Sequence, residues 1–225
     1  MKKFEIFGDS IMKGVIYKGE SGRYSLNHGS LRERLMESGV DVTKTCKMGI
    51  TIDRATEMIA RKFPDGTDLS DVDVLLEFGG NDSAYDWKEV SVNPMGDFQP
   101  ATPKETFTDT YRKIIKRLQD MGARVFVASL VPIDAGKYLN FISKDLSKDN
   151  ILKFLGDESM LYRWHESYNA ICEGLARELN CINLDLRTDF LMAHNFAELI
   201  CPDGIHPTEK GYKIIEERII DTLIM

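Results

Sequence analysis

The sequence predicts an α/β fold, a parallel five-stranded sheet covered by helices on both faces, and two observations carry that prediction. Short apolar runs rich in β-branched and aromatic residues recur along the chain, and stretches with helical spacing fill the gaps between them. Strands that are apolar almost throughout need cover on both faces, which right-handed helical crossovers supply.

The elements follow in order. The first strand is expected at 4–7 (Phe4, Glu5, Ile6, Phe7), with further strands at 40–45, 72–78, 125–130 and 181–184. Helices are expected at 30–37, 52–62, 104–121, 160–179 and 209–223. In the third of these, Phe107, Tyr111, Ile114, Ile115 and Leu118 recur at spacings that place them on one helical face. Two segments break the alternation: 83–103, with three prolines, and 132–158, mostly polar with scattered aromatics. Both follow a strand's carboxyl end, where open α/β sheets bind ligands, so they read either as walls or lids of a site or as tolerated surface loops. The whole chain, 1–225, is expected to form one domain.

Composition narrows the function. With 36 acidic against 29 basic side chains the net charge is -7, which works against a nucleic-acid partner. The longest apolar runs fall far short of the about 20 residues a bilayer requires, so no stable membrane anchor is expected. Lys2 and Lys3 precede an apolar stretch broken by Glu5 and Asp9, which leaves no signal-peptide core and points to the cytoplasm. The cysteines at 46, 172, 181 and 201 lack metal-ligand or disulfide-framework spacing and read as buried free thiols.

Four motifs carry chemistry. Phe7-Gly8-Asp9-Ser10 puts a serine at the end of the opening strand, after a glycine turn, where it offers a hydroxyl and a backbone N–H. Taken alone, that tripeptide reads more often as a turn or a helix N-cap. Gly49, in the turn after the second strand, reads as a turn glycine or as an anion donor through its N–H. The third strand ends in Gly79-Gly80-Asn81-Asp82, which brings the Asn81 amide toward the cleft. Near the C-terminus, Asp203-Gly204-Ile205-His206 spaces a carboxylate and an imidazole so that one can orient the other for proton abstraction. Pro207-Thr208-Glu209 beside it reads as a helix start. Together the set supplies a nucleophile, a base, its orienting acid and three oxyanion donors.

In the order of these four blocks the chain resembles the SGNH/GDSL hydrolase superfamily, from Ser10 to His206. It departs from the family's name only in Ile11, which stands where leucine is usual. The resemblance implies a flavodoxin-like three-layer α/β/α sandwich and a serine esterase or acylhydrolase that works through an acyl-enzyme without metal or cofactor. Ser10, Asp203 and His206 are then catalytic, and Ser10, Gly49 and Asn81 form the oxyanion hole. The substrates it implies are carboxylic esters or thioesters, among them acylated sugars, lysophospholipids and short acyl esters, and small acyl groups are expected because no exposed amphipathic membrane anchor is identifiable in the sequence. His28, His165 and His194 have no acidic partner at matching spacing and are assigned surface or structural roles. The aromatics Tyr85, Trp87, Phe98, Phe154, Tyr162 and Trp164 read chiefly as core and otherwise as the lining of a pocket. The rival reading is a non-catalytic flavodoxin-like ligand-binding domain with Asp9 as a phosphoacceptor, but a receiver of that kind needs an acidic cluster for magnesium where this chain has Ser10.

Overall fold

The computed structural model describes residues 2–19 and 21–224. Five parallel strands form the central sheet: β1 (Lys2–Gly8), β4 (Val40–Cys46), β5 (Val72–Glu77), β6 (Arg124–Ala128) and β7 (Ile182–Leu184). Their spatial order is β4-β1-β5-β6-β7, the doubly wound order of flavodoxin. After β1 the chain turns to one side to place β4 and then crosses over to place β5. A crevice therefore opens between the loops that leave β1 and β5.

Alternation along the strands sorts the side chains into two cores. Phe7, Val74, Leu76, Val125 and Val127 point to one face and pack under helices α3 (Ile52–Lys62), α5 (Lys104–Asp120) and α8 (Ser159–Glu178). Phe4, Ile6, Leu75, Phe126 and Ala128 point to the other, under α2 (Leu31–Glu37), α9 (Arg187–Met192) and α11 (Glu209–Ile224). Each such buried aliphatic or aromatic side chain contributes about 1.5–3 kcal/mol. The five expected strands and five expected helices are all present, with ends shifted by two residues at most.

The elements outside that alternation shape the site. A one-turn helix α1 (Ser10–Lys13) follows β1 directly, and an antiparallel hairpin, β2 (Val15–Lys18) with β3 (Arg23–Leu26), forms a separate small sheet. A further short helix, α10 (Phe196–Leu199), precedes the C-terminal loop. The two irregular segments contain helices α4 (Trp87–Val92), α6 (Ala135–Ile142) and α7 (Lys148–Leu155). These pack on one another around a third core of Val90, Ile133, Leu139, Ile151 and Leu161, with Asn150 Nδ2 donating to Ser91 O at 2.7 Å. They are walls at the carboxyl edge of the sheet, built by aromatic packing that no short-period pattern announces. Of the thiols, Cys172 and Cys201 are buried, whereas Cys46 and Cys181 are only half-buried at the sheet's outer strands.

Candidate active site

Ser10 is the first residue of α1, so its N–H belongs to the first turn and has no intrahelical partner. Asp9 caps that helix, its Oδ1 accepting from Ile11 N at 2.7 Å. The serine is thus an N1 residue rather than the N-cap, and its hydroxyl projects over the end of β1. There it meets His206: Nε2 lies 2.9 Å from Ser10 Oγ. On the other side of the ring, Nδ1 lies 2.6 Å from Asp203 Oδ2. The buried carboxylate holds the proton on Nδ1, which leaves the Nε2 lone pair facing the hydroxyl. Asp203 is itself fixed, because its Oδ1 accepts the N–H groups of Ile205 and His206, both at 3.1 Å.

Tertiary contacts clamp this loop. Gly204 has φ +78°, and a Cβ there would lie 2.2 Å from Tyr138 N, so only glycine lets the loop approach α6 so closely. Asp134 N donates to Gly204 O at 2.9 Å, and Cys201 N to His206 O at 2.7 Å. From the hairpin, the Tyr24 ring packs edge-on against the imidazole with centroids 5.5 Å apart. Its phenol is raised above the ordinary tyrosine range by burial and by the Asp203 charge.

Across the crevice, Asn81 Nδ2 donates to Asp9 Oδ2 at 2.8 Å and to Ile50 O at 3.2 Å. Two acceptors fix which end of the amide is nitrogen, and they also occupy both of its hydrogens. Gly49 sits at the third position of the turn Lys47–Ile50, with φ +71° and Ile50 N bonded to Lys47 O at 3.3 Å. It is exposed and does not line the cavity beside Ser10. Asp82 points away from the crevice, binding Ile52 N at 2.9 Å and the Thr102 hydroxyl at 2.6 Å through one oxygen. Burial pushes its carboxyl up to about 6. Beneath Ser10, Asp9 N bonds Glu77 Oε2 at 3.3 Å. Burial, then the adjoining Asp9 carboxylate, raises Glu77 well above the usual range.

A cavity of about 90 Å³ joins Ser10, Asn81 and His206 to Leu130, Val131 and Ile133. It adjoins a second space of about 40 Å³ that reaches Trp87 and Trp164. Larger clefts lie between α3 and α5 and beside α1 and α11, but neither holds a nucleophile–base pair. His165 belongs to the cavity beside Ser10, not to the surface: it is 7% exposed and faces the crevice from α8. One signal was available, since it falls in the apolar stripe Leu161, His165, Tyr168, Cys172 and Leu175, a polar residue on a buried helical face. His28 is exposed, and His194 lies outside the crevice. Tyr24 and Tyr138 carried no comparable signal.

The residues 6–214 match the model of the GDSL-like Lipase/Acylhydrolase family. The chain belongs to this family. It is 25% identical over 225 residues to GDSL esterase/lipase WDL1 of Oryza sativa subsp. japonica, covering 98% of this chain and 76% of that protein. GDSL esterase/lipase CPRD49 of Arabidopsis thaliana is 24% identical over 217 residues, covering 96% and 76%. Among solved structures, the lipase/acylhydrolase from Enterococcus faecalis superposes with a TM-score of 0.65 at 16% identity, over 100% of this chain and 96% of that one. The GDSL hydrolase is thus an enzyme of the esterase/acylhydrolase type on a flavodoxin-like frame. Among the described residues, no helix is long and apolar enough to cross a membrane.

Proposed function

We propose that this GDSL hydrolase cleaves carboxylic esters or thioesters of small acyl groups by two-step acyl transfer, with Ser10 as nucleophile, His206 as base and Asp203 as its orienting acid. The observation that carries the reading is the unbroken chain of contacts from Ser10 Oγ to Nε2 at 2.9 Å and from Nδ1 to Asp203 at 2.6 Å. Ser10 Oγ bonds to the ester carbonyl carbon while its proton passes to Nε2. The imidazolium, compensated by Asp203, returns that proton to the alkoxide as the carbon–oxygen bond to the alcohol breaks. A water then attacks the acyl-serine, giving its proton to Nε2, and the released acid leaves Ser10 with its hydroxyl restored.

The oxyanion formed in each step is assigned to the N–H groups of Ser10 and Gly49 and to Asn81 Nδ2. For Asn81 this requires giving up or sharing one of its two bonds, and the longer one, to Ile50 O, is the one to yield. Small acyl groups are favoured by the size of the cavity beside Ser10, about 90 Å³. Short acyl esters and acetylated sugars fit this space better than lysophospholipids. The test is labelling with a fluorophosphonate followed by intact-mass and peptide analysis. A single adduct on Ser10, absent after Ser10→Ala, supports the reading, and an unlabelled protein or an adduct elsewhere overturns it.

A further inference from the structure

His165 stands at the junction of the two cavities, lining both the space beside Ser10 and the space that runs on to Trp87 and Trp164. Of the other polar groups of that far wall, Ser83 and the two tryptophans are already committed, and the Tyr138 hydroxyl accepts from one of them. Ser83 Oγ donates to Gly80 O at 2.8 Å, Trp164 Nε1 to Ser83 O at 2.8 Å, and Trp87 Nε1 to the Tyr138 hydroxyl at 3.1 Å. His165 differs: its Nδ1 is buried and has no hydrogen-bond partner among the described residues. Burial, reinforced by the Arg187 charge, pulls the imidazole down to about 3, so the ring is neutral and carries one donor and one acceptor.

The tautomer follows from the cost of orphaned groups. A buried N–H without an acceptor is rarer than an acceptor left under-satisfied, so the proton belongs on Nε2 and the orphan at Nδ1 is a lone pair. Nε2 overlooks the floor of the catalytic cavity, 4.0 Å from where a methyl carbon on Gly80 would lie; that same point is 3.6 Å from Asp9 Oδ2. An N–H donor in that position, among Leu130, Val131, Ile133 and Ile205, calls for one oxygen acceptor on an otherwise apolar group.

We propose that His165 is a specificity-determining residue whose Nε2–H binds an oxygen substituent, a hydroxyl or oxo group, on the acyl chain of the substrate. The acyl chain rather than the alcohol is meant, because the alcohol takes its proton from His206 and must leave. The inference rests on Ser10 being the acylated nucleophile. It makes the preferred substrates small esters of hydroxy or oxo acids, a narrower class than short acyl esters in general. A site built around such a bond discriminates against the analogue that lacks the oxygen, because the donor is then left unpaired.

The experiment compares kcat/KM for 4-nitrophenyl 3-hydroxybutyrate and 4-nitrophenyl butyrate on the full chain. The wild type is expected to favour the hydroxy ester by about tenfold, the scale of one hydrogen bond in a buried site. In His165→Leu the ratio is expected to fall to about one, while His165→Gln, which keeps a donor, retains part of it. A wild-type ratio near one, with butyrate hydrolysed and Ser10 labelled, overturns the inference and leaves the proposed acyl transfer standing. A ratio unchanged in His165→Leu, with both rates lowered alike, also overturns it and moves the donor to the oxyanion. So does a preference that appears only when the hydroxyl is on the alcohol, as in glycerol monobutyrate against propyl butyrate. The wild-type ratio keeps the test decisive even if a variant fails to fold.

Discussion

The two sides of the crevice beside Ser10 are built in opposite ways. One side is local: Asp203 and His206 lie three residues apart in a single loop, and backbone N–H groups of that loop hold the carboxylate that holds the ring. The other side is assembled from distant parts, with Asn81 from the end of β5, Ile50 from the turn after β4, and His165 from the middle of α8. A local arrangement is set by turn chemistry and persists through small movements of its neighbours. A long-range one exists only when several helices and strands are packed at once, so it is adjustable without rebuilding the fold. The proposed base and its orienting acid stand on the local side, and the proposed oxyanion donor Asn81 and His165 stand on the assembled side.

Removing the proposed nucleophile, or breaking the local side that it meets, is expected to have the largest effect. Ser10→Ala should lower kcat/KM on a short-chain aryl ester by about 10⁴–10⁶-fold with an unchanged thermal melt, and undiminished turnover would remove Ser10 as nucleophile. Asp203→Asn should cost about 10⁴-fold. Its amide oxygen can still accept from the backbone N–H groups of Ile205 and His206, but its NH₂ then faces Nδ1. That forces the proton to Nε2, where the ring no longer accepts from Ser10. A crystal structure of this variant with the loop in place, alongside the lost rate, checks that tautomer rather than folding is responsible.

The assembled side is expected to respond more gently. Asn81→Ala should lower kcat by about 10²–10³-fold with a smaller change in KM, the scale for one oxyanion donor. An unchanged kcat would mean that the amide serves only to tie Asp9 to Ile50.

Asp82, in the same motif, sharpens the contrast, because its effect should fall on stability. Its native carboxyl is raised from 3.8 to about 6, so the native state binds the proton more tightly than the unfolded chain. That stabilisation is complete below about pH 4 and is lost as the pH rises through 6, after which the native state holds a buried charge. The shift corresponds to about 3 kcal/mol. Asp82→Asn cannot titrate, so relative to the wild type it should gain about that much between pH 4 and pH 7 in denaturant melts. A difference that does not change with pH would exclude the raised carboxyl. Smallest of all, Tyr24→Ala should lower kcat/KM by about two- to tenfold, since the ring contributes one aromatic contact to His206. A loss of 10³-fold would promote the hairpin from a cover to a part of the machinery.

The fold and the proposed catalytic side were legible in the sequence because both rest on short-range rules. Apolar strands and the stripe from Phe107 to Leu118 specify buried elements through periods of two and 3.6 residues. Gly8 beside Ser10, and Gly204 between Asp203 and His206, mark strand ends and tight loops, where parallel sheets present their side chains. What brought Ser10 to His206 across 196 residues was the doubly wound strand order.

The remainder was decided by tertiary structure alone. The hairpin that brings Tyr24 onto His206, and the helices of the two irregular segments, are held by aromatic packing between residues far apart in the chain. Single-segment periodicity carries no record of such partners. His165 shows the limit most clearly. Its helix was expected from local spacing, whereas its place in the crevice depends on how α8 packs over β6 and β7 and against Phe78 at the end of β5. Local preferences determine which elements form and which face they bury, but the burial free energy that orients one element on another is summed over the whole core.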